Sequence, residues 1–262
     1  MARPHYFVGL DIGSASVRFV ALQKNDTGTF SVAGVSEQAL DGMRKGAVAS
    51  SDIVARGIIK AAHELKKQYG IEVGHAVVSL GEPRIVGVAS RGAVSISRAD
   101  GEVTQEDIAR VIENAEGALP RLGNREVLHQ FPLFYNVDRD TRLREVVGLS
   151  GAKLEVEAFF VAAFSLHMRN LYRALELAGI VADDILASPY AASFHALSRK
   201  QKEAGCVLID IGAQTSGIAV FEEGMLVSLE MLPVGSSHIT FDIGLGFQID
   251  QASAERVKRN LS

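Results

Sequence analysis

The tripeptide Asp-Ile-Gly stands twice in the same surroundings, at Asp11-Ile12-Gly13 and at Asp210-Ile211-Gly212, 199 residues apart. Each copy follows an apolar run (Phe7-Val8-Gly9-Leu10 in one, Cys206-Val207-Leu208-Ile209 in the other) and passes through a short turn into a second apolar run. Strand, acid, turn and strand make a β-hairpin whose tip carries a carboxylate beside backbone N–H groups free to hold phosphate. A single turn of this kind is also what an Asp that merely ends a strand would give. The pair asks for more, because a third strand and a helix follow each hairpin. The order βββα recurs, and the chain reads as two related halves gripping one nucleotide. A third Asp-Ile-Gly, at Asp242, has no apolar strand before it and reads as part of a helix.

Between the hairpins the patterning predicts strands at 6–11, 17–23 and 30–36, then a helix over 52–69. Ile53, Ile58, Ile59, Ala62 and Leu65 mark its apolar face, Ser51 or Asp52 its cap, and Gly70 its stop. The texture then changes. Strands are expected at 76–80, once or twice within 84–97, at 127–137 and at 153–164. Thr104-Gln105-Glu106-Asp107 is a capping box with Asp in place of Glu, opening a helix that carries Ile108, Val111, Ile112, Ala115 and Leu119. Arg139-Asp140-Thr141-Arg142 reads as a polar loop and Gly148-Leu149-Ser150-Gly151 as a tight turn. A helix over 166–178 follows, capped by Ser165 and ended by Gly179, with Leu171, Leu175 and Ala178 inward. A short strand at 184–187, a helix at 191–198 and a solvated stretch at 200–205 lead to the second hairpin. After it come a strand at 225–233, a helix following Gly235 and a last helix at 250–260, with Ala252 and Val257 to bury and no partner beyond it. A second half equal to the first needs more residues than remain, so the expectation is a fragment or a truncated gene.

Composition excludes several functions. Lys and Arg number 27 against 31 Asp and Glu, a formal charge of −4, so no basic surplus points to nucleic acid. Apolar content of 47% and charged content of 22% belong to a folded chain. The one cysteine, Cys206, is expected to lie buried in its strand and fits a reducing cytoplasm. No apolar run approaches the ~18 residues that span a bilayer, and residues 1–6 enter a strand without signal-peptide character. The chain is therefore expected to be neither secreted nor membrane-spanning. The seven histidines show no metal-ligand spacing, and neither a Gly-x-Ser-x-Gly elbow nor a Walker lysine occurs. Gly244-Leu245-Gly246 lacks the third glycine of a dinucleotide fingerprint.

In facing hairpins, Asp11 and Asp210 can hold Mg²⁺ through its waters and orient an attacking water. Gly13 and Gly212 let the backbone approach phosphate oxygens without a Cβ in the way. Ser14, Ser16 and Thr215 offer hydroxyl donors. Gly235, where strand passes to helix, either places a helix N-terminus at the phosphates or is an ordinary turn glycine.

The two hairpins resemble the phosphate motifs of the superfamily that holds actin, heat-shock chaperones and sugar kinases. Further stretches narrow the likeness: Gly42-Met43-Arg44-Lys45-Gly46, Val103-Thr104-Gln105-Glu106-Asp107-Ile108, Val127-Leu128-His129 with Pro132 and Tyr135, Val147-Gly148-Leu149-Ser150-Gly151, and Asn170-Leu171 with 174–179. In collinear order across the chain, they resemble the FtsA family of bacterial cell-division proteins. That resemblance implies an α/β, actin-like (ribonuclease H-like) ATPase fold with an inserted small α+β subdomain of the 1C, or SHS2, type. Subdomain IA is then 1–81 with 165–203, the insert 82–164, and a partial IIA 204–262. The resemblance also implies ATP and Mg²⁺ as cofactors, held by Asp11, Gly13, Ser14, Asp210, Gly212, Ala213, Gln214, Thr215 and Gly235, with Asp11 and Asp210 toward the metal. The family usually has Gly-Gly-Gly-Thr or similar at the second turn. Here a Cβ at Ala213 and an amide at Gln214 would crowd the phosphate.

The implied role is structural, with at most a weak ATPase. Family members assemble into filaments at the inner face of the cytoplasmic membrane at the division site, tether FtsZ there and recruit later division proteins. The FtsZ surface and the C-terminal amphipathic helix that anchors the family to the membrane are expected to be missing from these 262 residues. Two other readings stay open: a PilM-type pilus-assembly protein, and a sugar-kinase-type phosphotransferase on the same fold.

Overall fold

The computed structural model describes residues 6–97, 100–120, 123–138 and 140–260; the N-terminal stretch 1–5 and Arg139 of the expected polar loop lie outside the described residues. The first hairpin is β1 (Tyr6–Ile12) with β2 (Ser16–Lys24), extended by β3 (Phe30–Ala39). A small hairpin of β4 (Met43–Arg44) and β5 (Ala47–Val48) follows, then α1 (Ser51–Tyr69). Gly70 ends α1 in the left-handed conformation, as expected. The cap does not match: the N-cap residue is Ser50, and its side chain makes no capping bond. The buried face is also rotated from the expected one. Val54, Ala55, Ile58, Ala61 and Leu65 are buried, whereas Ile53 and Ile59 are exposed. Small residues face the sheet because the helix lies close on it; a Cβ at Gly57 would stand 2.3 Å from Leu40 Cδ1.

Strand β6 (His75–Leu80) returns parallel to β1. The chain then leaves this sheet to form the insert: β7 (Val86–Ser95), α2 (Gln105–Gly117), β8 (Arg125–Val137), β9 (Asp140–Leu143) and β10 (Lys153–Phe164). The 84–97 stretch is a single strand. Asp140–Leu143 pairs with β8 instead of remaining loop. The capping box opens α2, with the Thr104 hydroxyl accepting from the Asp107 amide and the Asp107 carboxylate accepting from the Thr104 amide.

Strand β10 shows how sequence sets its surroundings. Leu154 and Val156 are buried while Lys153, Glu155 and Glu157 are not, a period of two with one covered face. From Ala158 to Ala163 every residue is buried, because the strand there passes between two layers. Leu154, Val156, Ala158 and Phe160 join Val111, Ala115 and Tyr135 in the insert's own core. Phe159, Val161 and Ala163 point the other way, into the main core with Leu10, Ile12, Phe19 and Leu171.

Helix α3 (Ser165–Ala178) packs on α1 and ends at Gly179. Ser165 is its first residue, not its cap; Phe164 holds the N-cap position. Strand β11 (Val181–Ala187) completes a sheet ordered β11-β6-β1-β2-β3. Then come α4 (Ser188–Ala196), with Pro189 in its first turn, and α5 (Arg199–Ala204). The stretch expected only to be solvated is thus a short helix with no buried residue, opened by a Ser198–Gln201 capping box.

The second hairpin is β12 (Cys206–Ile211) with β13 (Ser216–Glu222), followed by β14 (Met225–Leu232), α6 (Ser236–Phe247) and α7 (Gln251–Asn260). The βββα order recurs as expected, and Asp242 lies in α6. Cys206 is only half-buried, because β12 is a sheet edge. Helix α7 finds its partner behind it: it folds back on α6 and buries Ala254, while Ala252 is exposed. One pair, Glu230 with Val86, joins β14 to β7, so the second half and the insert share a seven-stranded sheet.

Candidate functional site

The two hairpins are built alike. In the first, Asp11 pairs with Arg18 and Ile12 with Val17; in the second, Asp210 pairs with Gly217 and Ile211 with Ser216. The Gly13 amide donates to the Ser16 carbonyl at 3.0 Å, and the Gly212 amide donates to the Thr215 carbonyl at 2.8 Å. A Cβ at Gly13 would meet Ser16 O at 3.1 Å, and one at Gly212 would meet Thr215 O at 3.0 Å. The glycines therefore serve close approach, since neither turn uses left-handed backbone.

Both tips open into one cleft of about 840 Å³, a volume of small-molecule scale. Asp11, Gly13 and Ser14 line it from the first half; Asp210, Gly212, Ala213 and Thr215 line it from the second. The Ser79 hydroxyl donates to Asp11 Oδ1 at 3.0 Å, and Arg18 lies 3.4 Å from Oδ2. Burial, and next the Asp11 charge, push the Asp210 carboxyl up from its ordinary range. The two acids thus feel each other across the cleft.

That excess of negative charge fits a divalent cation. Among the described residues, no group of three or more His, Cys, Asp or Glu side chains could hold a metal ion. Two carboxylates with room beside them suit Mg²⁺, which keeps several waters and takes its remaining ligands from phosphate.

The β4–β5 turn wedges between the tips. The Gly46 amide donates to Ser14 Oγ at 2.9 Å, and the Lys45 amide donates to Gln214 Oε1 at 2.6 Å. Gly46 has φ 76°, and a Cβ there would stand 2.1 Å from the Gly81 carbonyl oxygen. Only glycine fits.

Two expected contacts fall outside the cleft lining. The Gln214 amide turns away to Lys45, so it does not crowd the cleft as expected. Gly235 sits beneath the second turn instead of on the cavity wall. The Ser236 and Ser237 amides at the start of α6 are spent on the carbonyls of Gly212 and Ala213, at 2.9 and 2.8 Å. A helix N-terminus is present, but its first donors brace the turn.

The contribution of α6 and α7 to the lining was not anticipated. Glu255, Lys258 and Arg259 of α7 line the cleft with Thr240 of α6. Buried Thr240 donates to Glu255 Oε2 at 2.6 Å and accepts from Lys258 Nζ at 2.9 Å. Lys258 also pairs with Glu255 at 2.6 Å. Hydrogen bonds from Lys258, Thr240 and Arg259 hold the Glu255 carboxyl down at about 2. Sequence reading gave α7 only apolar positions, and the i, i+3 pair Glu255–Lys258 was the signal available. The cleft thus offers backbone amides and carboxylates at the two turns, and a carboxylate and two cations on α7.

Among the described residues, no helix is long and apolar enough to cross a membrane.

Comparison with known proteins gives consistent findings. The profile described as "SHS2 domain inserted in FTSA" matches residues 83–162, and the profile "Cell division protein FtsA" matches 207–261. The chain is 31% identical to the cell division protein FtsA of Bacillus subtilis over 256 residues, which is 97% of this chain and 58% of that protein. It is 30% identical to the Pseudomonas aeruginosa FtsA over 252 residues (96% and 60%), and 28% identical to the Escherichia coli one over 251 (96% and 59%). The chain thus spans under two thirds of these relatives. Among solved structures, it superposes on a chain of the PilM-PilN type IV pilus biogenesis complex with TM-score 0.69 at 18% identity, over 98% of this chain and 70% of that one. The ethanolamine utilization protein EutJ from Carboxydothermus hydrogenoformans gives 0.55 at 16% (98% and 62%). The fold is the actin-like ATPase fold with an inserted SHS2 domain.

Proposed function

This chain belongs to the FtsA family of actin-like cell-division proteins, and from that premise we propose that it binds ATP with Mg²⁺ in the cleft between its two Asp-Ile-Gly hairpins. One observation carries the proposal: two turns of equal register and equal hydrogen bonding, from distant sequence, face one cavity with a carboxylate each. Asp11 and Asp210 would hold Mg²⁺ through its waters. The Gly13 and Gly212 turns, with the Ser14 and Thr215 hydroxyls, would take the phosphates. Glu255, Lys258 and Arg259 of α7 would take the nucleoside end, where a carboxylate can accept from ribose hydroxyls. When bound, Mg²⁺ would supply charge neutralisation for the triphosphate.

The role we assign is structural. Nucleotide fixes the two halves relative to each other, and the sheet pairing of Glu230 with Val86 passes that orientation to the insert. The insert, taken as 82–164 between subdomain IA (1–81 with 165–203) and a partial IIA (204–262), would then meet a neighbouring copy. We assign to the protein the family's place at the division site on the inner face of the cytoplasmic membrane, with filament formation and FtsZ as its partner. ATP with Mg²⁺ should raise the melting temperature and drive sedimentation of the protein, and a version extended to the full length of its relatives should capture purified FtsZ. Absence of any ATP-dependent shift in melting or sedimentation would refute the nucleotide role. Failure to capture FtsZ would refute the tether on its own.

A further inference from the structure

Strands β1, β2 and β3 set Asp11, Arg18 and Glu37 in one cross-strand row, Arg18 lying opposite Asp11 on one side and opposite Glu37 on the other. The guanidinium favours Glu37: Nε donates to Oε1 at 3.0 Å, and Nη2 lies 2.9 Å from the same oxygen. Toward Asp11 Oδ2 the separation is 3.4 Å. The other Asp11 oxygen is taken by the Ser79 hydroxyl. The oxygen left for a hydrated cation is therefore the one that Arg18 covers. Arg18 also lines the cleft and is about half exposed, so its side chain has room to move. Hydrogen bonds from Ser16 and then Arg18 hold the Glu37 carboxyl below its ordinary value, which keeps it charged and ready to receive the guanidinium.

We propose that Arg18 is the exchangeable counter-ion of the metal site, screening Asp11 while the cleft lacks a divalent cation and withdrawing onto Glu37 when Asp11 takes one. The inference rests on the nucleotide reading above and adds a control on its metal affinity. Exposed ion pairs of this length are weak, so the exchange is easy in both directions. Arg18 is a positioning residue: it acts through Asp11, and Glu37 acts through Arg18.

The test measures ATP binding by titration calorimetry over a series of MgCl₂ concentrations and reads the Mg²⁺ midpoint. Arg18→Gln should lower that midpoint about two- to five-fold, and Glu37→Gln should raise it by a similar factor. Any nearby charge would shift a cation site in those directions, so the double variant decides. With Arg18→Gln already in place, Glu37→Gln should have no further effect, whereas a general field would keep its full shift. Arg18→Lys, which retains the charge should the glutamine variant not fold, should stay within about two-fold of wild type. An unchanged or raised midpoint in Arg18→Gln, or a persistent Glu37→Gln shift in the double variant, overturns the proposal while leaving ATP binding intact. Wild-type protein that binds no ATP at any Mg²⁺ concentration overturns the nucleotide reading and this inference with it.

Discussion

The Lys45 amide donates to Gln214 Oε1 at 2.6 Å across 169 residues of sequence, tying the β4–β5 turn of the first half to the tip of the second hairpin. Gln214→Ala removes that tie and leaves the Lys45 amide to water. The expected loss is about 0.5–1.5 kcal/mol, the net worth of one such bond, read as a lower urea midpoint. An unchanged midpoint would mean that the wedge is held by Gly46 and Ser14 alone.

Gly46→Ala should be far worse. Its φ of 76° and the 2.1 Å approach of a Cβ to the Gly81 carbonyl leave no relaxed position for the side chain. Backbone strain and overpacking together predict a loss of about 2–4 kcal/mol, measured by chemical denaturation. A loss below about 1 kcal/mol would show that the turn yields, and that it is not a rigid wedge between the tips.

Asp210→Asn should stabilise the ligand-free chain. Burial and the Asp11 charge raise the Asp210 carboxyl, so the folded state binds that proton more tightly than the unfolded one. Ligand-free stability contributed by this group therefore rises as the pH falls through the raised value, and is lost as the pH climbs above it. The asparagine variant should flatten that slope, melt higher near neutral pH, and lose the rise that ATP with Mg²⁺ gives. A variant that melts lower than wild type would contradict the repulsion between the two acids.

The insert has a pH signature of opposite sign. Hydrogen bonds from the Thr104 hydroxyl and amide, and next from Arg110, hold the Asp107 carboxyl at about 2 instead of 3.8. A depressed carboxylate contributes stability that is present above its unfolded value and lost as pH falls from 3.8 toward about 2. Asp107→Asn should cost about 1 kcal/mol near neutral pH, the usual worth of a cap, and the gap to wild type should close over that acid range. A gap independent of pH would rule out the charged capping box.

Glu255→Ala tests the α7 side of the cleft. If α7 holds the nucleoside end, the variant should weaken ATP about ten-fold, the worth of one hydrogen bond to a charged group. Binding of inorganic tripolyphosphate should change little. Equal weakening of both ligands would place Glu255 at the phosphates or in the support of the fold.

The hairpins were legible because their information is local: an acid, a glycine and a turn between two apolar runs fix a register, and both registers came out the same. The Thr104–Asp107 box and the stops at Gly70 and Gly179 were legible for the same reason. What escaped depends on neighbours. Periodicity put Ile53 and Ile59 on the inner face of α1, but close packing on the sheet selected Val54, Ala55 and Ala61 instead. Cys206 looked like a core residue from its run, yet its strand is an edge. Gln214 looked like a phosphate contact from its place in the motif, and only the wedge from residues 43–48 shows why it turns away. Glu255 and Lys258 reach the cleft because α7 doubles back on α6, a fold-back that no residue in α7 announces.

Titration calorimetry of ATP with Mg²⁺ against wild type, Asp11→Asn and Asp210→Asn measures most directly whether both hairpins hold one nucleotide at once. The prediction is one ATP per chain for wild type and a loss of about ten-fold or more in affinity for each single variant. Undiminished ATP binding by either variant, each confirmed as folded, would contradict it.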